Sequence, residues 1–226
     1  PTFGGNRLSL KNHHLEDQIE NINRTLLSYS REIAGNRCYV AGDVTTSGQF
    51  VTADGGYTYE DAYEMYREQI GILADAGADL IVAETMINIE ETLAAVDAAN
   101  SVCSLPIMCT VTVEADGSIF SGGNAIEAVS ALEGAGADAV GINCSVGPDQ
   151  LVSVVRSIRE AVSIPVIAKP NAGMPVIDDQ GNAVYSMTSS DFARHMKALV
   201  DAGAVLVGGC CGTTPEFIRA LSGIIS

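Results

Sequence analysis

The feature that most constrains the fold is a short pattern that occurs three times, each time where an amphipathic segment gives way to a buried apolar run. The pattern is an alanine-glycine-alanine step, and its copies contain Gly77, Gly136 and Gly203. A glycine at this place supplies the left-handed turn that ends a helix. Each copy therefore predicts a helix followed by a strand, and their repetition predicts a parallel sheet with helical crossovers.

Hydrophobic periodicity extends this alternation along the chain. The apolar runs predict strands near residues 37–43, 79–84, 106–113, 138–143, 165–171 and 204–209. The amphipathic segments predict helices near residues 13–34, 57–77, 88–102, 122–135, 148–162, 188–203 and 214–225, with His13 and His14 opening the first of them.

We interpret the alternation as one domain, residues 1–226, of the α/β class. The expected architecture is a (β/α)8 TIM barrel that lacks the first strand-helix unit and most of the second strand, because a complete barrel needs roughly 250 residues. An open doubly wound sheet is the alternative. We favour the barrel because no glycine-rich phosphate loop of the G-x-G-x-x-G type follows any strand.

Charge and composition exclude several kinds of partner and location. The chain has 28 acidic and 12 basic residues, a net charge of −16, which repels phosphate backbones and anionic lipid. It has no apolar run long enough to span a bilayer and no signal-peptide pattern at its N-terminus. Six cysteines are too few for a disulfide scaffold. These features predict a cytoplasmic protein that binds neither nucleic acid nor membranes.

Polar residues end several of the predicted strands. Seven and eight residues after the three repeated glycines come the pairs Glu84-Thr85, Asn143-Cys144 and Cys210-Cys211. Asp43 ends the first predicted strand, and Asn171 the fifth, in the same way. The carboxyl ends of barrel strands share one edge, which is the catalytic face of this fold. We therefore expect these polar side chains on one face, although each carboxylate or amide there also has a purely structural interpretation.

Three of the cysteines, Cys144, Cys210 and Cys211, are the candidates for a metal site. The neighbouring glycines 208, 209 and 212 allow the backbone to leave strand geometry, so both adjacent cysteines can face one site. Three thiolates with an open fourth position are typical of catalytic zinc. Their spacing matches no standard zinc finger, so buried strand-end cysteines and a disulfide between the adjacent pair stay open as alternatives. We interpret the remaining cysteines as structural; they are Cys38, Cys103 and Cys109.

Two motifs carry a resemblance to a known family. The segments 141–144, Gly-Ile-Asn-Cys, and 207–215, Val-Gly-Gly-Cys-Cys-Gly-Thr-Thr-Pro, resemble the homocysteine S-methyltransferase family, and within it the homocysteine-binding barrels of cobalamin-dependent enzymes. The segments 2–6, 83–86 and 170–173 are similar to further family segments and follow in the family order.

The resemblance implies zinc-dependent methyl transfer to the thiol of homocysteine, giving methionine, with a zinc-bound thiolate as nucleophile. It implies that zinc, and through it catalysis, depends on Cys144, Cys210 and Cys211. The expected substrate-binding residues are Glu84, which would contact the amino group of homocysteine, together with Asn143, Asp43 and Thr2.

The methyl donor is not encoded in these residues. Three donors stay open: methylcobalamin carried on another domain or on a corrinoid protein, S-methylmethionine, and a betaine-like donor. Unpaired strand edges also predict self-association into a homo-oligomer. The alternative function is a catalytically inactive zinc-binding barrel, or a subunit of a larger corrinoid-dependent methyltransferase complex.

Overall fold

The computed structural model describes residues 1–52 and 56–225. The chain divides into two compact units. The first unit consists of Pro1–Cys109 together with Gly134–Asp138, and the second consists of Thr110–Glu133 together with the chain from Ala139 onward.

Within the described residues, six strands follow the predicted alternation, and two further short strands form a hairpin that the sequence did not predict. They are β1 (Ala41–Val44), β2 (Leu80–Met86), β3 (Ile107–Val111), β4 (Ala139–Cys144), β5 (Val166–Pro170), β6 (Pro175–Ile177), β7 (Ala183–Tyr185) and β8 (Leu206–Val207). The sheet order is β1-β2-β3-β4-β5-β8, the order along the chain, and the pairs β1-β2, β4-β5 and β5-β8 are parallel. A doubly wound sheet reverses its order at a switch point. This order has no reversal and is that of a partial TIM barrel.

The helices alternate with these strands. They are α1 (Arg7–Lys11), α2 (Ile19–Ala34), α3 (Tyr59–Asp75), α4 (Ile89–Val102), α5 (Ala125–Gly134), α6 (Val152–Ala161), α7 (Ser189–Asp201) and α8 (Pro215–Ile225). Among the described residues, no helix is both long enough and apolar enough to cross a membrane.

The start of the first predicted helix was wrong. The side chain of Asn6 accepts a hydrogen bond from the backbone N–H of Ser9, which caps the separate short helix α1. His14 then has a φ of 56°, a left-handed conformation that interrupts the helical backbone. His13 and His14 therefore lie between helices, and α2 begins only at Ile19.

The three repeated glycines confirm the helix-strand junctions. Gly77, Gly136 and Gly203 have φ values of 91°, 97° and 117°, which are accessible at low cost only to glycine. Eight residues after the first two, Thr85 and Cys144 have φ values of 60° and 64°. The repeat thus extends to the strand ends, where a non-glycine residue holds a left-handed conformation that costs energy.

In the first unit, β1 pairs with β2 so that Ala41 lies opposite Leu80 and Asp43 opposite Val82. The apolar faces of the neighbouring helices pack on this pair, and Tyr66 and Leu73 of α3 are fully buried. A capping box at Thr58 begins α3.

In the second unit, β4 pairs with β5 so that Cys144 lies opposite Pro170, and β5 pairs with β8. Phe192 of α7 packs edge-on against Phe217 of α8, with their ring centroids 5.5 Å apart. The carboxyl ends of β4, β5 and β8 therefore meet within this unit.

Candidate functional site

Three cysteines come together in the second unit. The sulfur atoms of Cys144, Cys210 and Cys211 all lie within 4.8 Å of one another. Cys144 is the last residue of β4, and the other two follow β8 after two glycines. The Sγ atoms of Cys144 and Cys211 are 3.7 Å apart. All three cysteines are free thiols, so the adjacent pair forms no disulfide.

Local backbone structure turns the cysteines towards each other. Cys144 and the following Ser145 have φ values of 64° and 70°, so the chain leaves strand geometry at the cysteine itself. After β8, the hydroxyl of Thr213 donates to the carbonyl oxygen of Cys210 at 2.7 Å, which closes a tight turn around the adjacent pair. The turn lets two consecutive side chains serve one cluster, as the sequence predicts.

Asn171, directly after β5, links the two cysteine loops. Its Nδ2 donates to the carbonyl oxygen of Ser145 at 2.8 Å, and its Oδ1 accepts from the backbone N–H of Cys211 at 3.0 Å. Asn171 is 3% exposed. Of the two interpretations that the sequence left open for this amide, the structure shows the loop-fixing one.

Asn143, which precedes Cys144, is buried, and its side chain lies between β3 and the sulfur of Cys210. Its Oδ1 accepts a hydrogen bond from the hydroxyl of Thr110 on β3 at 2.8 Å. Its Nδ2 points at the sulfur of Cys210 at 3.7 Å. The hydroxyl of Thr112 donates to the backbone carbonyl of Asn143 at 3.3 Å. Sequence analysis did not identify Thr110; its only signal is a polar residue inside an apolar strand.

Tyr185, at the end of β7, contacts the cluster from the hairpin formed by β6 and β7. Its ring packs on Gly212, where an added Cβ would lie 2.3 Å from the ring Cγ. The pKa of Tyr185 is raised, first by desolvation and then by the nearby Cys211. Sequence analysis did not predict this hairpin and so did not place Tyr185 near the cysteines.

Hydrogen bonds within the cluster shift the pKa values of two thiols in opposite directions. The pKa of Cys144 is lowered, first because its sulfur accepts a hydrogen bond from Cys210; burial opposes this shift and the backbone N–H of Ser145 adds to it. The pKa of Cys210 is raised, first because it donates to Cys144 and then because of desolvation. The thiols thus share protons, as closely spaced titrating groups do.

The cluster fits a soft metal ion. Among residues 1–52 and 56–225, it is the one group of three or more side chains that could hold a metal together. Thiolates select zinc over harder ions, and three of them leave the fourth tetrahedral position for a substrate. Asn143 points its Nδ2 at the sulfur of Cys210, the kind of outer contact that metal-binding side chains usually have, and Asn171 fixes the backbone of both cysteine loops.

The other expected substrate-binding residues lie in the first unit. Thr2 is fully buried, and its hydroxyl donates to the backbone carbonyl of Asp43 at 2.8 Å and accepts from its N–H at 2.9 Å. Thr2 thus satisfies the backbone of β1 as a neighbouring strand would. Glu84 is half-buried near the end of β2, and its backbone carbonyl accepts from the hydroxyl of Thr45 at 2.8 Å.

A buried carboxylate that sequence analysis missed organises the loop after β1. Glu91 on α4 has no exposed surface. It accepts hydrogen bonds from the Thr46 hydroxyl at 2.6 Å, the Ser47 N–H at 2.7 Å and the Tyr66 hydroxyl at 3.1 Å. These donors satisfy a charge that burial would otherwise penalise. On the helix pattern alone, Glu91 is indistinguishable from the exposed Glu90 beside it.

The sheet has the strand order of a partial (β/α) barrel, and three cysteine thiols cluster at the ends of its strands. The chain belongs to the homocysteine S-methyltransferase family, whose sequence model matches residues 1–225. This confirms the resemblance seen in the two cysteine motifs.

Two curated relatives are the methionine synthases of Mycobacterium leprae and Mycobacterium tuberculosis. Each is 30% identical over 238 aligned residues, which include the whole of this chain but only 20% of the relative. The chain thus spans about one fifth of the length of these relatives.

Solved structures show the same fold. The oxidized form of the homocysteine methyltransferase MmuM from Escherichia coli matches with a TM-score of 0.81 at 22% identity, covering 99% of this chain and 77% of MmuM. Its metallated form matches with a TM-score of 0.79 at 20% identity, with the same coverage.

Proposed function

We propose that this chain, as one domain spanning residues 1–226, binds homocysteine and zinc and transfers a methyl group to the homocysteine thiol, giving methionine. The observation that carries the proposal is the meeting of three cysteine sulfurs within 4.8 Å, in a chain of the homocysteine S-methyltransferase family. The metal ligands in this proposal are Cys144, Cys210 and Cys211.

The chemistry follows from the ligand set. When bound, zinc would supply the positive charge that keeps a thiol deprotonated near neutral pH and holds it in place. The three cysteine thiolates outweigh the charge of a divalent ion, so a substrate sulfur beside them stays electron-rich. Asn171 holds the two cysteine loops together through its bonds to Ser145 and Cys211.

We assign the amino-acid part of the substrate to the remaining predicted residues. Glu84 is proposed to pair with the ammonium group of homocysteine, because a carboxylate forms a charge-assisted hydrogen bond with an ammonium. Asn143, Asp43 and Thr2 complete the proposed substrate-binding set. The bonds from Thr2 to the backbone of Asp43 suit a role for Thr2 in fixing the end of β1.

The methyl donor is proposed to come from outside these residues. The chain spans one fifth of the methionine synthases that it resembles, which supports a donor carried on another domain or another protein. Methylcobalamin on a corrinoid-binding partner is our first candidate.

Metal analysis tests the ligand set. The purified chain should contain about one zinc ion, and Cys144→Ser, Cys210→Ser and Cys211→Ser should each lose most of it, because removing one thiolate leaves too few protein ligands. Cys38→Ser is the matched control, since Cys38 is exposed and outside the cluster. Full zinc in all three cluster variants would refute the assignment.

A methyl-transfer assay tests the activity. The zinc-loaded chain should convert homocysteine to methionine with methylcobalamin, free or on a corrinoid protein, and cluster variants should not. If the chain bound zinc but produced no methionine with methylcobalamin, S-methylmethionine or a betaine-like donor, the inactive zinc-binding barrel would be the better description.

A further inference from the structure

The side-chain amide of Asn143 contacts a hydroxyl group through its oxygen and a sulfur atom through its nitrogen. On one side, Thr110 donates a hydrogen bond to its Oδ1 at 2.8 Å. On the other, its Nδ2 faces the sulfur of Cys210 at 3.7 Å. Thr110 is 0% exposed and Asn143 is 1% exposed, so the hydrogen bond between these two side chains is shielded from water. All three residues belong to the second unit.

The orientation of the amide matters because a thiolate can only accept hydrogen bonds. If the amide turned over, its oxygen would face the sulfur and two acceptors would oppose each other. The hydroxyl of Thr110 favours the productive orientation, because it donates to the amide oxygen and so leaves the N–H groups for Cys210. Thr112 bonds only the backbone carbonyl of Asn143 and does not set the orientation of the amide.

We propose that Thr110 is a positioning residue for the cysteine centre: it orients Asn143 so that the amide donates a hydrogen bond to the sulfur of Cys210. This inference rests on the proposed function, since it concerns the metal-bound form of the cluster. A hydrogen bond to a ligating sulfur withdraws electron density from it and stabilises the thiolate, and loss of such outer partners typically lowers metal affinity.

Thr110→Val removes the hydroxyl and keeps the shape of the side chain. We expect its zinc affinity, measured by competition with a chelator, to fall roughly 10- to 100-fold. In the cobalt-substituted protein, the sulfur-to-cobalt charge-transfer bands should move to lower energy, because the sulfur of Cys210 has lost a hydrogen bond. A purely structural effect on stability would not move these bands.

Three further variants complete the design. Thr110→Ser keeps the hydroxyl and should restore both the affinity and the bands. Thr112→Val loses a hydroxyl just after β3, one that bonds the backbone carbonyl of Asn143 and not its side-chain amide, and should resemble the wild type. Thr110→Ala lacks the hydroxyl but has a smaller volume, so it should shift the bands as Thr110→Val does even if the valine variant folds poorly. Thermal unfolding of each metal-free protein reports on folding.

The outcomes separate this inference from the proposed function. If the wild-type chain bound neither zinc nor cobalt through its cysteines, the proposed function would fail. If the wild type bound both metals but Thr110→Val and Thr110→Ala had unchanged affinity and unchanged bands, the positioning role of Thr110 would be wrong while the proposed function stood. Equal losses in Thr110→Val and Thr112→Val would also overturn it.

Discussion

Replacing Gly212 with alanine tests whether Tyr185 packs on the cysteine loop. Gly212 has a φ of 79°, which disfavours any residue with a Cβ. A Cβ added there would lie 2.3, 2.6 and 2.7 Å from the Cγ, Cδ2 and Cδ1 atoms of the Tyr185 ring. Because these distances are far shorter than van der Waals contact, the ring or the loop must move in the variant.

Two costs contribute to the expected loss of stability. A left-handed backbone conformation costs a residue with a Cβ about 1 to 2 kcal/mol. Inserting a methyl group into an occupied space typically costs about 1 to 3 kcal/mol more. The free energy of unfolding should therefore fall by about 2 to 5 kcal/mol in Gly212→Ala. We expect the lower half of this range, because Tyr185 ends a three-residue strand whose other residues are exposed and the ring can swing away.

Urea unfolding followed by circular dichroism measures this loss. Gly181→Ala is the matched control, because Gly181 lies in the same hairpin with a φ of 82° and its added Cβ would meet no atom within 4 Å. Gly181→Ala should lose only the stability that a left-handed backbone conformation costs a residue with a Cβ. In a Tyr185→Ala background, Gly212→Ala should also show only that cost. If Gly212→Ala and Gly181→Ala were equally destabilising, the packing of Tyr185 on Gly212 would be refuted.

Two further predictions concern a carboxylate and a buried thiol. Glu84→Gln should weaken homocysteine binding by roughly 10- to 150-fold, the loss of about 1.5 to 3 kcal/mol for one charge-assisted hydrogen bond, and leave zinc content unchanged. Calorimetric titration measures it, with the exposed Glu90→Gln as control, and unchanged affinity would remove Glu84 from the site. Burial raises the pKa of Cys109 to about 12, with a smaller contribution from Asp138. Above pH 9 the unfolded chain loses a proton that the folded chain keeps, so this thiol should lower stability by up to about 1.4 kcal/mol per pH unit between pH 9 and 12. Urea unfolding should show a shallower decline for Cys109→Ala, and equal slopes would contradict the shift.

Much of the fold could be predicted because its strongest signals are local. A helix-ending glycine followed by an apolar run reports on adjacent residues, and the junctions at Gly77, Gly136 and Gly203 have the expected backbone conformation. The hairpin was missed because β6 and β7 have three residues each and are largely exposed, which is too short for a two-residue alternation to stand out.

The cysteine cluster could be predicted because its residues stand at equivalent positions along neighbouring parallel strands. Parallel strands that begin at equivalent helix-ending glycines reach the same edge of the sheet after the same number of residues. Counting eight residues from Gly136 and from Gly203 leads to Cys144 and Cys211. The contact between Thr110 and Asn143 could not be found this way. It joins residues 33 positions apart and depends on which side chains face each other between strands. Whether the three cysteines bind zinc stays a prediction.

The buried amides beside the cysteines show how such a site restricts its own sequence. Asn143 and Asn171 are almost fully buried, and an amide in that position is tolerated only when its hydrogen bonds are satisfied. An apolar residue in place of Asn171 would leave the Ser145 carbonyl and the Cys211 N–H without this partner and would break the link between the cysteine loops. An aspartate would keep the acceptor for Cys211 but oppose the Ser145 carbonyl with a negative charge. Asn171 must therefore offer both a donor for the Ser145 carbonyl and an acceptor for the Cys211 N–H, which lie on different loops. The sequence around Asn171 does not reveal this requirement.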